Sequence, residues 1–225
     1  MEFVSVEKLT KCYGDFIAVD NLSFSVMEGE IFGLLGPNGA GKSTTLSVIT
    51  TLLSIDKGSV KVANYDVSTQ KREAKQYMGI IPQDIAIYIH LNAIENVKFF
   101  ASLYGLRGKE LEDAAKEALE FVGLTSHLKK KPKQMSGGMK RRLNIACGIA
   151  HHPKLIIMDE PTVGVDAQSR EHILNSIKIL KSRGATIIYT SHYLQEVEEI
   201  CDRIAIMDRG KMIAMGTTEE LISIV

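Results

Sequence analysis

The chain has no surplus charge of either sign, since 27 Lys and Arg balance 27 Asp and Glu. A neutral total creates no long-range field towards nucleic acid or anionic lipid, so any such contact has to be local, and no nucleic-acid partner is expected. Cysteine is scarce: Cys12, Cys147 and Cys201 are odd in number and far apart, which excludes a disulfide framework or a thiolate metal site and suits a reducing cytosol. No apolar run approaches the roughly 18 residues needed to span a bilayer. The N-terminus also lacks the cationic stretch and apolar core of a leader, so a soluble, unsignalled chain is expected. Internal repeats, low-complexity segments and flexible linkers are missing as well.

What remains is a chain of 225 residues, long enough to bury a substantial core as one domain with room for a subdomain. Phe3 to Val26 alternates polar and apolar residues around a turn at Tyr13-Gly14-Asp15, which predicts an antiparallel sheet. Ile31 to Leu35 reads as a buried strand, Thr44 to Leu53 as a helix, Ser59 to Ala63 as a further antiparallel stretch, and Gly79 to Gln83 as a buried strand ending in a proline. From Leu91 to Ala150 the period turns helical: Ile94, Val97, Phe100 and Ala101 share one face, as do Leu111, Ala115, Ala118, Leu119 and Val122. Apolar strands return at Leu155 to Met158, Ala185 to Thr190 and Arg203 to Met207, separated by helices near Ser169 to Leu180 and Tyr193 to Ile200. A turn at Asp208-Arg209-Gly210 leads to a last antiparallel strand, Lys211 to Met215.

Chemistry concentrates in the run Gly36-Pro37-Asn38-Gly39-Ala40-Gly41-Lys42-Ser43-Thr44, which fits the phosphate-loop pattern G-x-x-x-x-G-K-[ST] between a strand and a helix. Glycines let backbone N–H groups wrap a polyphosphate, the helix N-terminus adds partial positive charge, Lys42 reaches the β and γ oxygens, and Ser43 offers a hydroxyl to Mg2+. Leu155 to Met158 then delivers Asp159 and Glu160 at a strand's carboxyl end, where ligands bind in open α/β sheets. Two acids allow two roles: Asp159 on the metal with Ser43, and Glu160 polarising the water that attacks the γ-phosphate. A second anion site is expected where Ser136, Gly137 and Gly138 precede the basic helical stretch Lys140-Arg141-Arg142.

With this third motif the chain resembles the ATP-binding cassette family, whose signature reads L-S-G-G-Q. Nearly the whole chain takes part: Tyr13, the phosphate loop, Gln83, the signature, Asp159-Glu160-Pro161, Asp166 and His192 follow in family order. The resemblance implies a P-loop α/β ATPase with a mainly parallel central sheet and an N-terminal antiparallel β-subdomain. It places the core in residues 1–84 and 151–225 and an inserted helical subdomain in residues 85–150. It implies that Tyr13 stacks on adenine, Gln83 senses magnesium and His192 contacts the γ-phosphate. Asp166 is implied in communication across a head-to-tail dimer, a role compatible with capping the helix from Ala167. In such a dimer each ATP lies between one subunit's phosphate loop and the other's signature. Met135 and Met139 depart from the signature; the second loses an amide near the partner's nucleotide.

Two classes of ATPase fit the motifs: a transporter motor, and a soluble cassette that remodels a nucleic-acid or ribosomal complex. One cassette, no long coiled-coil insertion and a neutral charge favour transport. The runs Phe99 to Gly105 and Glu160 to Asp166 resemble the drug-export branch, which implies a separate permease and a cytoplasmic protein held at the inner face of the cell membrane. Ile85 to Leu91 is either ordinary core or the dock for that permease, and Lys129 to Lys133 reads as a solvated loop rather than a lipid contact. Pairing with itself or with a sister cassette stays open at this point.

Overall fold

A computed structural model describes residues 1–223. A twelve-residue strand β1 (Glu2–Tyr13) turns at Gly14 into the antiparallel β2 (Phe16–Met27), with β4 (Lys57–Val62) on its other side and the short β5 (Tyr65–Asp66) at the edge. The second sheet has six strands in the order β10-β9-β3-β8-β7-β6. Its members are β3 (Ile31–Leu35), β6 (Met78–Ile81), β7 (Leu155–Asp159), β8 (Thr186–Ser191), β9 (Arg203–Asp208) and β10 (Lys211–Gly216). All neighbours are parallel except β9 and β10, whose hairpin turns at Arg209-Gly210.

Period-two alternation decides which core each strand side chain joins. Ile156, Met158, Ile187 and Tyr189 face a core shared with the helices α3 (Ala93–Leu103), α4 (Gly108–Phe121), α5 (Gly137–Ile149), α6 (Ala167–Ser182) and α7 (Leu194–Ile200). Leu155, Ile157 and Ile188 face the other side, against the antiparallel sheet and the phosphate-loop helix α1 (Lys42–Ile49). Both faces are therefore covered, which is why these strands read as continuous apolar runs. Each fully buried isoleucine stabilises the fold by about 1.5–3 kcal/mol.

The expected helix Thr44–Leu53 is corrected at both ends. α1 begins at Lys42, because Gly41 caps it at φ 99°, a conformation open to glycine, and a Cβ there would lie 2.6 Å from the Ala18 carbonyl. It ends at Ile49, capped by Thr50, whose hydroxyl donates back to the Leu46 carbonyl at 2.8 Å, and Thr51 turns left-handed at φ 63°. Two short helices, α2 (Lys71–Lys75) and α8 (Thr218–Ile222), carry too little periodicity to be read from sequence.

The helical stretch starts with a capping box. Asn92 accepts from the Glu95 amide at 3.0 Å while Glu95 accepts from the Asn92 amide at 2.8 Å. Asn96 is buried and ties down the preceding loop: its amide nitrogen donates to the carbonyls of Tyr88, Leu91 and Asn92, and its oxygen accepts from the Tyr88 amide. Held this way, Ile85, Tyr88 and Ile89 project to the surface beside Phe99 and Leu103, so this apolar stretch is largely surface rather than core. Among the described residues no helix is long and apolar enough to cross a membrane.

Candidate functional site

The strands β3, β7 and β8 run in parallel, so Leu35, Asp159 and Ser191 end on the same edge of the sheet. The loop after β3 wraps a cavity of about 400 Å3 lined by Tyr13, Phe16, Ala18, the whole run Asn38 to Thr44, Gln83 and Glu160. Its floor is the amino end of α1, which carries no acidic residue in its first turn and leaves its N–H groups for an anion. Another groove, of about 290 Å3, lies at the opposite end of β7 and β8 among Glu117, Phe121, His152 and Arg183 and has no such ring of glycine amides.

Lys42 is only 5% exposed and its ammonium is fully engaged. It donates to the carbonyls of Gly36 at 2.7 Å and Pro37 at 3.2 Å, and lies 3.3 Å from Glu160 Oε1. Glu160, 6% exposed, has its other oxygen 3.2 Å from His192 Nδ1. Three of the four residues expected to act on the γ-phosphate thus form one chain, Lys42 to Glu160 to His192. The fourth, Gln83, lines the same cavity, and its backbone carbonyl accepts from Arg141 at 2.6 Å.

Glu160 has a left-handed backbone, φ 45°, which is costly for a residue with a side chain and concentrates at functional sites. Thr190, on the neighbouring strand, fixes it: the Thr190 hydroxyl accepts from the Glu160 amide at 2.9 Å and donates to Asp159 Oδ1 at 2.7 Å. One hydroxyl therefore holds the Glu160 backbone and the Asp159 carboxylate. Ser43 lines the cavity and Asp159 ends β7 one residue before Glu160, two oxygen donors of the kind Mg2+ takes. Among the described residues no group of three or more His, Cys, Asp and Glu could cage a metal. That donor set fits Mg2+, which takes one or two protein oxygens and fills its octahedron with phosphate and water.

Ser136, Gly137, Gly138 and Asp166 form a separate group outside this cavity. Ser136 caps α5 by accepting from the Met139 amide at 3.2 Å, and Gly137 faces open space. Asp166 caps α6 next door, accepting from the Ser169 amide at 2.9 Å and its hydroxyl at 2.8 Å. Those two donors hold the Asp166 carboxyl below its ordinary pKa. Ser169 lies so close to Gly138 that a Cβ there would come 2.2 Å from its Oγ. Met135 is buried, and Met139 packs at the edge of the helical core.

Three contributors escaped the sequence reading. Phe16 lines the cavity with Tyr13, and its position directly across the hairpin, Tyr13 to Phe16, was the available signal. Thr190 and Arg141 act through contacts between elements remote in sequence, which no local pattern displays.

Comparison with known proteins gives the family and the fold. A family profile described as "ABC transporter" matches residues 19–163. The linearmycin resistance ATP-binding protein LnrL of Bacillus subtilis (strain 168) is 52% identical, over 98% of this chain and 71% of that protein. The probable multidrug ABC transporter ATP-binding protein YbhF of Escherichia coli (strain K12) is 39% identical, over 97% of this chain and 38% of that protein. The Nod factor export ATP-binding protein I of Sinorhizobium fredii (strain NBRC 101917 / NGR234) is 38% identical, over 97% and 64%. The chain therefore spans about two fifths to seven tenths of these relatives. Among solved structures, a dimeric ATP-binding cassette in a post-hydrolysis state with ADP and Pi superposes with a TM-score of 0.87 at 28% identity, covering 95% of this chain and 98% of that one.

Proposed function

The chain belongs to the ABC transporter family, and from that premise we propose that it is the ATP-hydrolysing motor subunit of a membrane exporter, acting as a head-to-tail dimer beside separate membrane subunits. The observation that carries the reading is the split between two anion sites. The phosphate cradle holds Glu160 between Lys42 and His192, while the Ser136-Gly137-Gly138 turn lies outside that cavity with Gly137 open to solvent. A second copy, turned head to tail, brings its signature over the nucleotide of the first, as two-fold closure requires of a self-complementary surface.

The reaction is ATP and water to ADP and phosphate. A triphosphate entering the cradle offers Lys42 charged oxygens in place of the neutral carbonyls of Gly36 and Pro37, and the α1 N–H groups take the remaining charge. Moving the ammonium to phosphate releases Glu160 to orient and deprotonate the attacking water, while His192 steadies the γ-phosphate from the far side of the carboxylate. Tyr13 and Phe16, both exposed beside the loop, supply ring faces for adenine. Ser43 and Asp159 would hold Mg2+, with Gln83 in the wall of the cavity that Ser43 lines; the ion would supply charge neutralisation at the phosphates.

Exposed Ile85, Tyr88, Ile89, Phe99 and Leu103 support a dock for the membrane subunit, beside which the proposed motor works at the cytoplasmic face. Hydrolysis with Mg2+ measured against protein concentration, with light scattering of Glu160→Gln in ATP, tests the assembly. Specific activity that climbs with concentration and an ATP-trapped variant dimer are expected. A stable, fully active monomer would overturn the shared site.

A further inference from the structure

Glu196, in α7, is a buried carboxylate with no part in the reaction just derived. It is 4% exposed, and a buried charge is costly unless donors surround it. Its Oε2 accepts from Thr162 Oγ1 at 2.8 Å, Tyr189 OH at 2.8 Å and Ser191 Oγ at 3.1 Å. Its Oε1 lies 3.2 Å from Arg170 Nε, misaligned for a hydrogen bond, so that contact is one of charge.

Every partner belongs to a segment that serves a nucleotide site. Thr162 stands in the loop from Glu160 to Asp166. Ser191 immediately precedes His192, and its Oγ also accepts from the Tyr193 amide at 2.9 Å, which pins the turn on both sides of the histidine. The Arg170 guanidinium sits 5.5 Å from the Tyr193 ring, whose centroid is 4.0 Å from that of His192. Arg170 also shares the first turn of α6 with Ser169, which touches Gly138. One helical turn thus meets the Glu196 cluster through one residue and the signature through the next.

We infer that Glu196 is a positioning residue, with Arg170 as its counter-charge, that ties the Glu160 and His192 end of one nucleotide site to the Asp166 and Gly138 end of the other; this rests on the shared-site dimer proposed above. A carboxylate held by three hydroxyls and a cation has a single favourable placement, so neither loop shifts without breaking bonds that the other loop depends on. Glutamine at 196 keeps the volume but has one acceptor oxygen and no charge, so it can serve the hydroxyls or Arg170, not both.

Steady-state hydrolysis by the full chain with Mg-ATP tests this with Glu196→Gln, Arg170→Gln, the double variant and Glu196→Asp. In Glu196→Gln, kcat is expected to fall by about tenfold, the usual scale of coupling between sites, with KM for ATP little changed. The double variant should be no worse than the poorer single one, because the pair acts as a unit. Glu196→Asp, which keeps the charge, should recover part of the rate. In a second arm, ATP-driven dimerisation of Glu160→Gln should weaken by a similar factor when Glu196→Gln is added, while ATP binding by the monomer stays constant. An unchanged kcat, or a rate loss matched by a loss of folded protein with KM and dimerisation intact, overturns the role. If Glu160→Gln alone fails to dimerise, the shared-site reading falls instead, and the kcat arm still judges Glu196 at its own site.

Discussion

The amino ends of α1 and α5 are both built to receive an anion, yet they differ in what faces them. At α1 the loop closes over a buried ammonium, and a strained glutamate from the next-but-one strand completes the wall. At α5 a serine cap satisfies one amide and the adjoining glycine looks into open space. The contrast teaches that a glycine-rich turn before a helix makes only half a site. The other half comes from opposing side chains, which α1 finds within the chain and α5 has to find in another.

Five substitutions break or sharpen that contrast. The largest effect belongs to Glu160→Gln at the closed end: turnover should fall by about 10²–10⁴-fold, the range for loss of a general base, while equilibrium binding of ATP persists. Lys42→Ala attacks the same end differently and should weaken nucleotide affinity by about 10- to 100-fold, read by titration with a fluorescent ATP analogue, since charge-assisted bonds contribute about 1.5–3 kcal/mol. At the open end, Gly138→Ala collides with Ser169 and should cost about 1–3 kcal/mol of stability in urea melts and lower turnover, whereas Gly137→Ala, with room for its methyl, should leave stability within about 0.5 kcal/mol. Equal behaviour of the two glycines would erase the distinction between the packed and the open side of the signature. Smallest is Met139→Gln, expected to move turnover by about twofold at most in a coupled ATPase assay, as suits a half-exposed position; complete loss would give the methionine a special role.

Motifs carried most of the site because their chemistry is local. The phosphate loop needs glycines, a lysine and a hydroxyl at fixed offsets on one turn, and the strand Leu155 to Asp159 delivers its carboxylates wherever the strand ends. The central strands were legible for a similar reason, since burial on both faces writes a continuous apolar run. Helix ends were less so: α1 stops at Ile49 through a side-chain bond from its cap Thr50 and a left-handed Thr51 that propensity does not display. The stretch Ile85 to Leu91 was ambiguous between core and surface until Asn96, by bonding to its backbone, showed which side it faces.

The sequence by itself determined the identity of the chemical groups and their order: a phosphate cradle, a pair of acids, a serine-glycine turn and a histidine, on continuous apolar runs that force a sheet buried on both faces. Only the tertiary structure decided which of them meet. Parallel pairing of β7 and β8 sets Thr190 beside Asp159 and Glu160, and the same sheet edge brings His192 to Glu160 and Lys42. Packing of α6 against the signature gives Asp166 and Ser169 to Gly138 rather than to the cradle. Contacts of this kind join residues some thirty to well over a hundred positions apart, and their partners are selected by strand order and helix packing, which local composition does not encode.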